Sequence, residues 1–431
     1  MSFFEIILVL SYTALFSFII FRVKFFQRFS ISPKLIVAIF IVKVLAGIFY
    51  GFIHEQFYYG GDTLSYFNDS KIIVGSLTSG HIHEYLKLVF GINTRPPDPD
   101  IRPYAAAMSY WNDMSAYSIV RFHALSSLFS LGYYYVDVVF YNFFTLIGLL
   151  YLFLFFLEIL SDKKYFLLIV VFFFPSILFW SSGIHKDGIS LAALGLLLYF
   201  LKQIMTPDKI FHRQNVKNFI GFLLGFWILV VVRNFWLLLL IPGLIAFAWT
   251  IRSPKHILVK FIFTYIIYFG ITTNLNYIQP DWDFLNILVV KQNDFLSLKS
   301  ESKTLEVQPL IPSLPSVAEQ IPTSISNCLL RPWLSDVKNP LRFCAAVENV
   351  IVILILVLTV VFIRRNLNTS QQSLLFLSLF FSFTIFIVTG IAVPVLGALV
   401  RYKMIGVLFL LISSVVLTRP FSFGKSVSKQ L

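Results

Sequence analysis

The sequence predicts an all-α, polytopic transmembrane bundle of about eleven spans, and three observations lead there. Of its 431 residues, 58% are hydrophobic and 13% charged, against roughly a quarter charged in a soluble domain. The apolar residues come in runs long enough to cross about 30 Å of hydrocarbon. The basic residues collect in short clusters between those runs, as the positive-inside rule expects. The 49 phenylalanines suit lipid-facing helices. The formal charge of +13 alone would suggest nucleic acid, but clusters confined to loops between spans argue against such a partner. No repeat of 20–50 residues and no low-complexity tract is found.

The spans run approximately over 3–21, 35–53, 134–157, 165–181, 188–204, 217–232, 235–250, 257–275, 347–363, 372–393 and 402–418. Glu5 precedes the first run, and Arg22, Lys24 and Arg28 follow it. That is the reverse of a cleavable signal peptide, so the sequence predicts a retained first span with its N-terminus outside. Lys34 continues the first basic cluster. Lys163 and Lys164 form the second, and Lys202, Lys209, Arg213 and Lys217 the third. Arg252, Lys255 and Lys260 come next, then Arg364 and Arg365, then Arg419, Lys425 and Lys429. Eleven spans place every cluster, and the C-terminus, on one side, which is cytoplasmic by the basic-loop rule.

Residues 1–431 then form a single membrane domain with two long outer loops, 54–133 and 276–346. Loops of this length are generally functional. Arg95-Pro96-Pro97-Asp98-Pro99 is stiff, because proline fixes its own φ and restricts its predecessor. Segments 63–90 and 115–131 have helical spacing and read as interfacial or re-entrant helices. Cys328 and Cys344 both fall in the second outer loop, where an oxidising compartment permits a disulfide. Two unpaired thiols fit the sequence as well.

Four polar clusters stand out against the apolar background. Gly60-Gly61-Asp62, followed by Thr63 and Tyr66, allows a tight turn that brings a carboxylate to a ligand. Asp62 would be a general base or hold a cation; a helix-capping turn is the plainer reading. Ser181-Ser182-Gly183-Ile184-His185-Lys186-Asp187-Gly188 follows Pro175 and places three ionisable residues at the lip of two helices. Lys186 suits a phosphate, helped by the dipole of the next helix. Asp187 has a competing duty as that helix's N-cap. Arg233 and Asn234 form a two-residue outer hairpin, where the arginine either snorkels or joins an anion site. Arg401-Tyr402-Lys403 breaks the positive-inside pattern at the start of the last span, which suggests a ligand role. Arg331-Pro332-Trp333 in the second outer loop is a further cation–aromatic pair. Lys43 lies near the middle of the second span and must face protein or water.

GxxxxGK[ST], HExxH and GxSxG are absent, as is any Cys/His cluster at zinc spacing. The sequence names no certain cofactor and leaves a divalent metal and the oligomeric state open.

Gly60-Gly61-Asp62 with Tyr66, the run Pro175–Asp187, and Arg401-Tyr402-Lys403 resemble the GT-C-type membrane glycosyltransferases. The glycosyltransferase-39-like and bacterial polysaccharide-cluster membrane proteins are the nearest in pattern. The likeness covers residues 35–260 and the last span. In that family the acidic loop follows the first span, whereas here it follows the second, and the common acidic pair is reduced to Asp62. The resemblance implies a plasma-membrane enzyme of cell-envelope polysaccharide biosynthesis, active at the outer face. Its partners would be membrane lipid and a polyprenyl-phosphate-linked sugar. Asp62 would be the catalytic base, and Lys186 and Arg401 would bind donor phosphate. Tyr66, His185, Asp187, Arg233 and Lys403 complete the expected substrate site. An O-antigen or exopolysaccharide polymerase is the second expectation, and a transporter or flippase for a lipid-linked glycan the third.

Overall fold

The computed structural model describes residues 1–205, 213–297, 305, 307–364 and 366–419. Lys209, Arg365, Lys425 and Lys429, counted among the basic clusters, lie outside the described residues, as does part of the segment 276–346. The described chain is helical throughout, with one isolated antiparallel bridge between Ile363 and Thr418.

In chain order the helices begin with α1, Phe3–Arg22, which Ser2 caps by accepting from the Glu5 amide. Helix α2, Pro33–Gln56, starts at Ser32 with proline in its first turn, where the missing N–H costs nothing. The segment expected as a first outer loop is itself helical: α3, Asp62–Thr78; α4, Ile82–Phe90; α5, Arg102–Ala107; and α6, Met114–Ser130. Then follow α7, Tyr134–Leu157; α8, Lys164–Leu168; a π-helical stretch, Ile169–Phe173; and α9, Pro175–Ser182. Next come α10, Lys186–Met205; α11, Arg213–Arg252; and α12, Ile257–Thr272. The second expected loop holds α13, Phe284–Ser297, and α14, Leu314–Leu330. Last are α15, Pro340–Val361; α16, Thr369–Ala392; α17, Leu396–Tyr402; and α18, Met404–Leu417.

Among the described residues, eight helices are long and apolar enough to cross a membrane, or up to ten if each of two bent pairs is one span. This makes the chain an integral membrane protein by length and composition. All eleven apolar segments of the sequence fall on helices. The bent pairs, Ser161–Phe173 with Pro175–Ser182 and Leu396–Tyr402 with Met404–Leu417, turn by 47° each. Pro175 accounts for the first bend, since its ring cannot follow an unbroken helix. Segments 217–232 and 235–250 share the continuous α11, broken only at Arg233, whose φ of −149° and ψ of 59° are non-helical.

The sequence predicts one membrane domain, and the described chain falls into two compact units. Unit 1 is Met1–Phe155 with Leu178–Leu237, and unit 2 is Phe156–Ile177 with Leu238–Leu431. The boundaries lie inside α7, α9 and α11 rather than in linkers, so no shift in composition marks them.

In unit 1, α1 and α2 pack together, and α3 packs on α4 and α6. Aromatic residues fill the seam between α1 and α7: the Phe16 ring stacks on Phe143 at 4.3 Å and meets Phe140 edge-on at 5.1 Å. Such geometries add to burial because ring faces and edges carry opposite partial charge. In unit 2, α16 packs against α14 and α18. Gly390 lets α14 approach closely, since a Cβ there would lie 2.5 Å from the Ser324 carbonyl oxygen. Buried Gln292 ties α13 to that core, donating to the Ile391 carbonyl at 3.0 Å and accepting from the Leu310 amide at 2.8 Å.

Candidate functional site

The first cluster sits at the turn from α2 to α3. Gly61 has φ of 105°, a region that favours glycine, and a Cβ on it would lie 2.8 Å from His54 Nδ1. His54 Nδ1 donates to the Gly60 carbonyl at 3.1 Å. This turn makes Asp62 the first residue of α3, with Gly61 at the cap position. Asp62 is therefore not the N-cap residue of α3. It remains 46% exposed, and each of its oxygens accepts a hydrogen bond.

Tyr110 donates its hydroxyl to Asp62 Oδ1 at 2.9 Å. His185 Nε2 lies 3.0 Å from Oδ2. The tautomer follows from the other ring nitrogen. His185 Nδ1 accepts from the Lys186 amide at 2.8 Å, so in the neutral ring the proton sits on Nε2 and points at Asp62. Tyr66 is buried beneath, its ring 4.8 Å from Tyr110 and 5.6 Å, edge-on, from His185.

Behind His185 lies a buried ion pair. Arg233 donates to Asp187 Oδ1 at 2.6 Å, with side chains 6% and 1% exposed, and Asp187 Oδ2 is 3.5 Å from His185 Nδ1. Asp187 thus pairs with Arg233, although its place in the first turn of α10 suggested a cap. The non-helical backbone at Arg233 brings the guanidinium to it. Lys186 points elsewhere, donating to Asp113 Oδ2 at 3.1 Å and to Ser115 Oγ at 2.7 Å.

Two supports fix these groups. Lys43, buried inside α2, donates to the Ser181 carbonyl at 3.1 Å and to the Ser181 and Ser182 hydroxyls at 2.9 and 3.2 Å. Those acceptors include the C-terminal end of α9, where a cation complements the helix dipole. The intramembrane lysine therefore has a structural partner that the sequence could not identify. Asp69, buried in α3, accepts from the Ser109 and Tyr110 amides at 3.0 and 2.8 Å and so aims Tyr110 at Asp62.

The electrostatics of the rim follow. Burial pushes the Asp69 carboxyl up, against the two amide bonds that pull it down. For Asp113 burial also pulls upward, but bonds from Ser115 and the Lys186 charge outweigh it and the net shift is downward. Burial, then the neighbouring Asp62 charge, raises the Tyr110 phenol, which stays a proton donor to the carboxylate.

The structure thus joins Asp62, Tyr66, His185, Lys186, Asp187 and Arg233 within unit 1. Sequence reasoning missed Tyr110, Asp69 and Asp113. Their signal is weak, being isolated polar residues scattered through the long 54–133 segment.

Arg401 and Lys403 lie in unit 2. Lys403 is 4% exposed, at the bend between α17 and α18. Its ammonium donates to the Cys328 carbonyl at 2.8 Å, the Arg331 carbonyl at 2.7 Å and Asn349 Oδ1 at 2.7 Å. All three donors of the ammonium are used within the protein. The Arg401 guanidinium is 5.6 Å from the ring of Tyr402. Arg331 Nη1 donates to both Asp336 carboxylate oxygens, at 2.8 and 2.7 Å. Cys328 and Cys344 are free thiols; Cys328 is buried with Sγ on the Phe386 carbonyl, and Cys344 is exposed. Among the described residues, no three His, Cys, Asp or Glu side chains converge as a metal site would require.

Comparison with protein-family models, with curated proteins and with solved structures gives no match.

Proposed function

We propose that this chain is a membrane glycosyltransferase in which Asp62 deprotonates an acceptor hydroxyl as a sugar leaves a lipid-phosphate donor. The observation that carries this reading is the half-exposed Asp62 carboxylate, held by Tyr110 and His185 over the buried Asp187–Arg233 pair. A carboxylate fixed at both oxygens and open on one side has the geometry of a general base. The acceptor proton passes to Asp62. The acceptor oxygen forms the new bond to the sugar carbon, the bond from that carbon to phosphate breaks, and the lipid phosphate leaves. Lys186 is the cation for that phosphate, exchanging Asp113, itself half-exposed, for the substrate. Arg233 stays with Asp187, and the Lys186 amide keeps the imidazole in place.

Topology supports the same reading. The 38 residues of Asn215–Arg252 would run about 57 Å at 1.5 Å per residue, nearly twice the hydrocarbon thickness. Counting this stretch as two spans about Arg233, and each bent pair as one, gives eleven. The N-terminus and the Asp62 cluster then lie outside, and the basic clusters inside.

The test is sugar transfer from a polyprenyl-phosphate donor to a hydroxyl acceptor by purified protein in liposomes. Asp62→Asn lowers the rate by about 10²–10⁴, the usual worth of a positioned base. Equal rates for wild type and variant would sink the assignment. Movement of unmodified glycolipid across the bilayer, without transfer, would replace it with a transporter.

A further inference from the structure

Helix α6 begins at the polar site and ends somewhere quite different. Its N-cap, Asp113, and Ser115 in its first turn lie beside Lys186. Its last charged residue is His123, and none follows until Asp137 in α7. Arg121 reaches back toward the helix start, donating to Asn93 Oδ1 at 2.8 Å and to the Gly91 carbonyl. His123 and Asp137 are both fully buried and pair at 2.8 Å, and Ser126 donates to the same carboxylate at 2.7 Å. Arg121 is thus drawn toward the helix start and His123 Nδ1 is paired inside, while His123 Nε2 and Ser130 Oγ are buried with no hydrogen-bond partner among the described residues.

The far end of α6 meets the interior of α1 and α7. Glu5, in the first turn of α1, accepts from the Tyr135 amide at the start of α7 and sets those helix ends level. Tyr12 lies seven residues further along α1, about 10 Å deeper. Its hydroxyl donates to the Phe129 carbonyl at 2.8 Å. The Phe129 ring stacks 6.1 Å from Phe140, and Phe140 lies 4.8 Å from Tyr12. The Ser130 carbonyl accepts from the Tyr133 amide at 3.1 Å. Carbonyls at a helix end inside hydrocarbon must find protein donors, because no water reaches them. Beside these contacts Leu125, Leu128 and Leu131 are 38%, 46% and 63% exposed.

The geometry points to α6 as a tilted, half-inserted helix whose C-terminal apolar face, Leu125 and Leu128 with the capping Leu131, is covered by the acyl chains of the bilayer. The occupant is lipid because the face continues the surface of α1, whose Leu10 is equally bare. A soluble partner would have to enter the hydrocarbon beside Tyr12 to reach it.

Site-directed spin labelling tests this in liposomes. Single cysteines replace Leu125, Leu128 and Leu131 in a Cys328→Ser, Cys344→Ser background, with Leu10→Cys as the lipid reference and Asp98→Cys as the aqueous one. Oxygen collision rates are expected to exceed those of a water-soluble nickel chelate at all three positions, as at Leu10. Should one variant fail to fold, the other two still decide the matter. A chelate-dominated response at these positions, as at Asp98, overturns the proposal. Protection from both reagents would also overturn it, as the mark of a protein partner.

Discussion

Each unit carries a buried cation among polar groups, and the two are built to different ends. In unit 1 the buried Arg233 neutralises Asp187, and the chain of contacts through His185 ends on a carboxylate that is half-open. In unit 2 the buried Lys403 spends all three donors on the Cys328 and Arg331 carbonyls and Asn349 Oδ1, none of them a carboxylate. A buried charge costs several kcal/mol unless it is paired or fully hydrogen-bonded. Both units meet that cost, and in unit 1 the contacts lead on to a half-exposed acid, Asp62. A cation near a helix end is therefore a poor guide to a ligand site, and the exposure of its partner is a better one.

The comparison breaks most visibly at Arg233. Arg233→Met leaves Asp187 buried without its countercharge and is expected to cost about 3–5 kcal/mol of stability. Adding Asp187→Asn recovers most of that loss, read as a rise in melting temperature. Failure of the second change to rescue would mean that the pair is not the source of the cost. Lys403→Met comes next. It orphans buried carbonyl groups at about 1–3 kcal/mol for an unsatisfied acceptor. Melting temperature falls, and the transfer rate per folded molecule is unchanged. A rate loss in the folded fraction would return Lys403 to the substrate site.

The smallest effect is a pair of opposed pH dependences within unit 1. Asp113 titrates below the usual carboxylate range in the folded chain. Its contribution is present above its unfolded value and is lost as pH falls through the folded value. Asp69 titrates above that range. It favours the folded state most below its unfolded value, and this advantage is lost as pH rises through the folded value. Melting curves from pH 3 to pH 7 for Asp113→Asn and Asp69→Asn should therefore diverge from wild type with opposite slopes. Parallel slopes would contradict the assigned environments.

Much of the scaffold was legible in the sequence. Runs of apolar residues mark helices because every backbone group in lipid must be satisfied locally. The Gly60-Gly61-Asp62 turn was legible because Gly61 needs a φ that other residues avoid. The pairing of charges was not. Arg233 and Asp187 are 46 positions apart, and Lys186 and Asp113 are 73 apart, and no local pattern records such partners. Lys186 and Arg233 looked like free cations for that reason. The helices inside 54–133 were only partly visible, since Gly80 divides α3 from α4 with a φ of 85° in an otherwise continuous pattern. The two-unit division was invisible, because it passes through helices.

The most direct measurement sets Asp62→Asn and Lys403→Met side by side in one liposome preparation, recording melting temperature and sugar transfer per folded molecule. Asp62→Asn should stay folded and lose transfer by about 10²–10⁴, while Lys403→Met melts earlier and transfers at the wild-type rate. If Asp62→Asn transfers normally, or both variants fail in the same way, unit 1 does not hold the reactive acid and the contrast between the two clusters collapses.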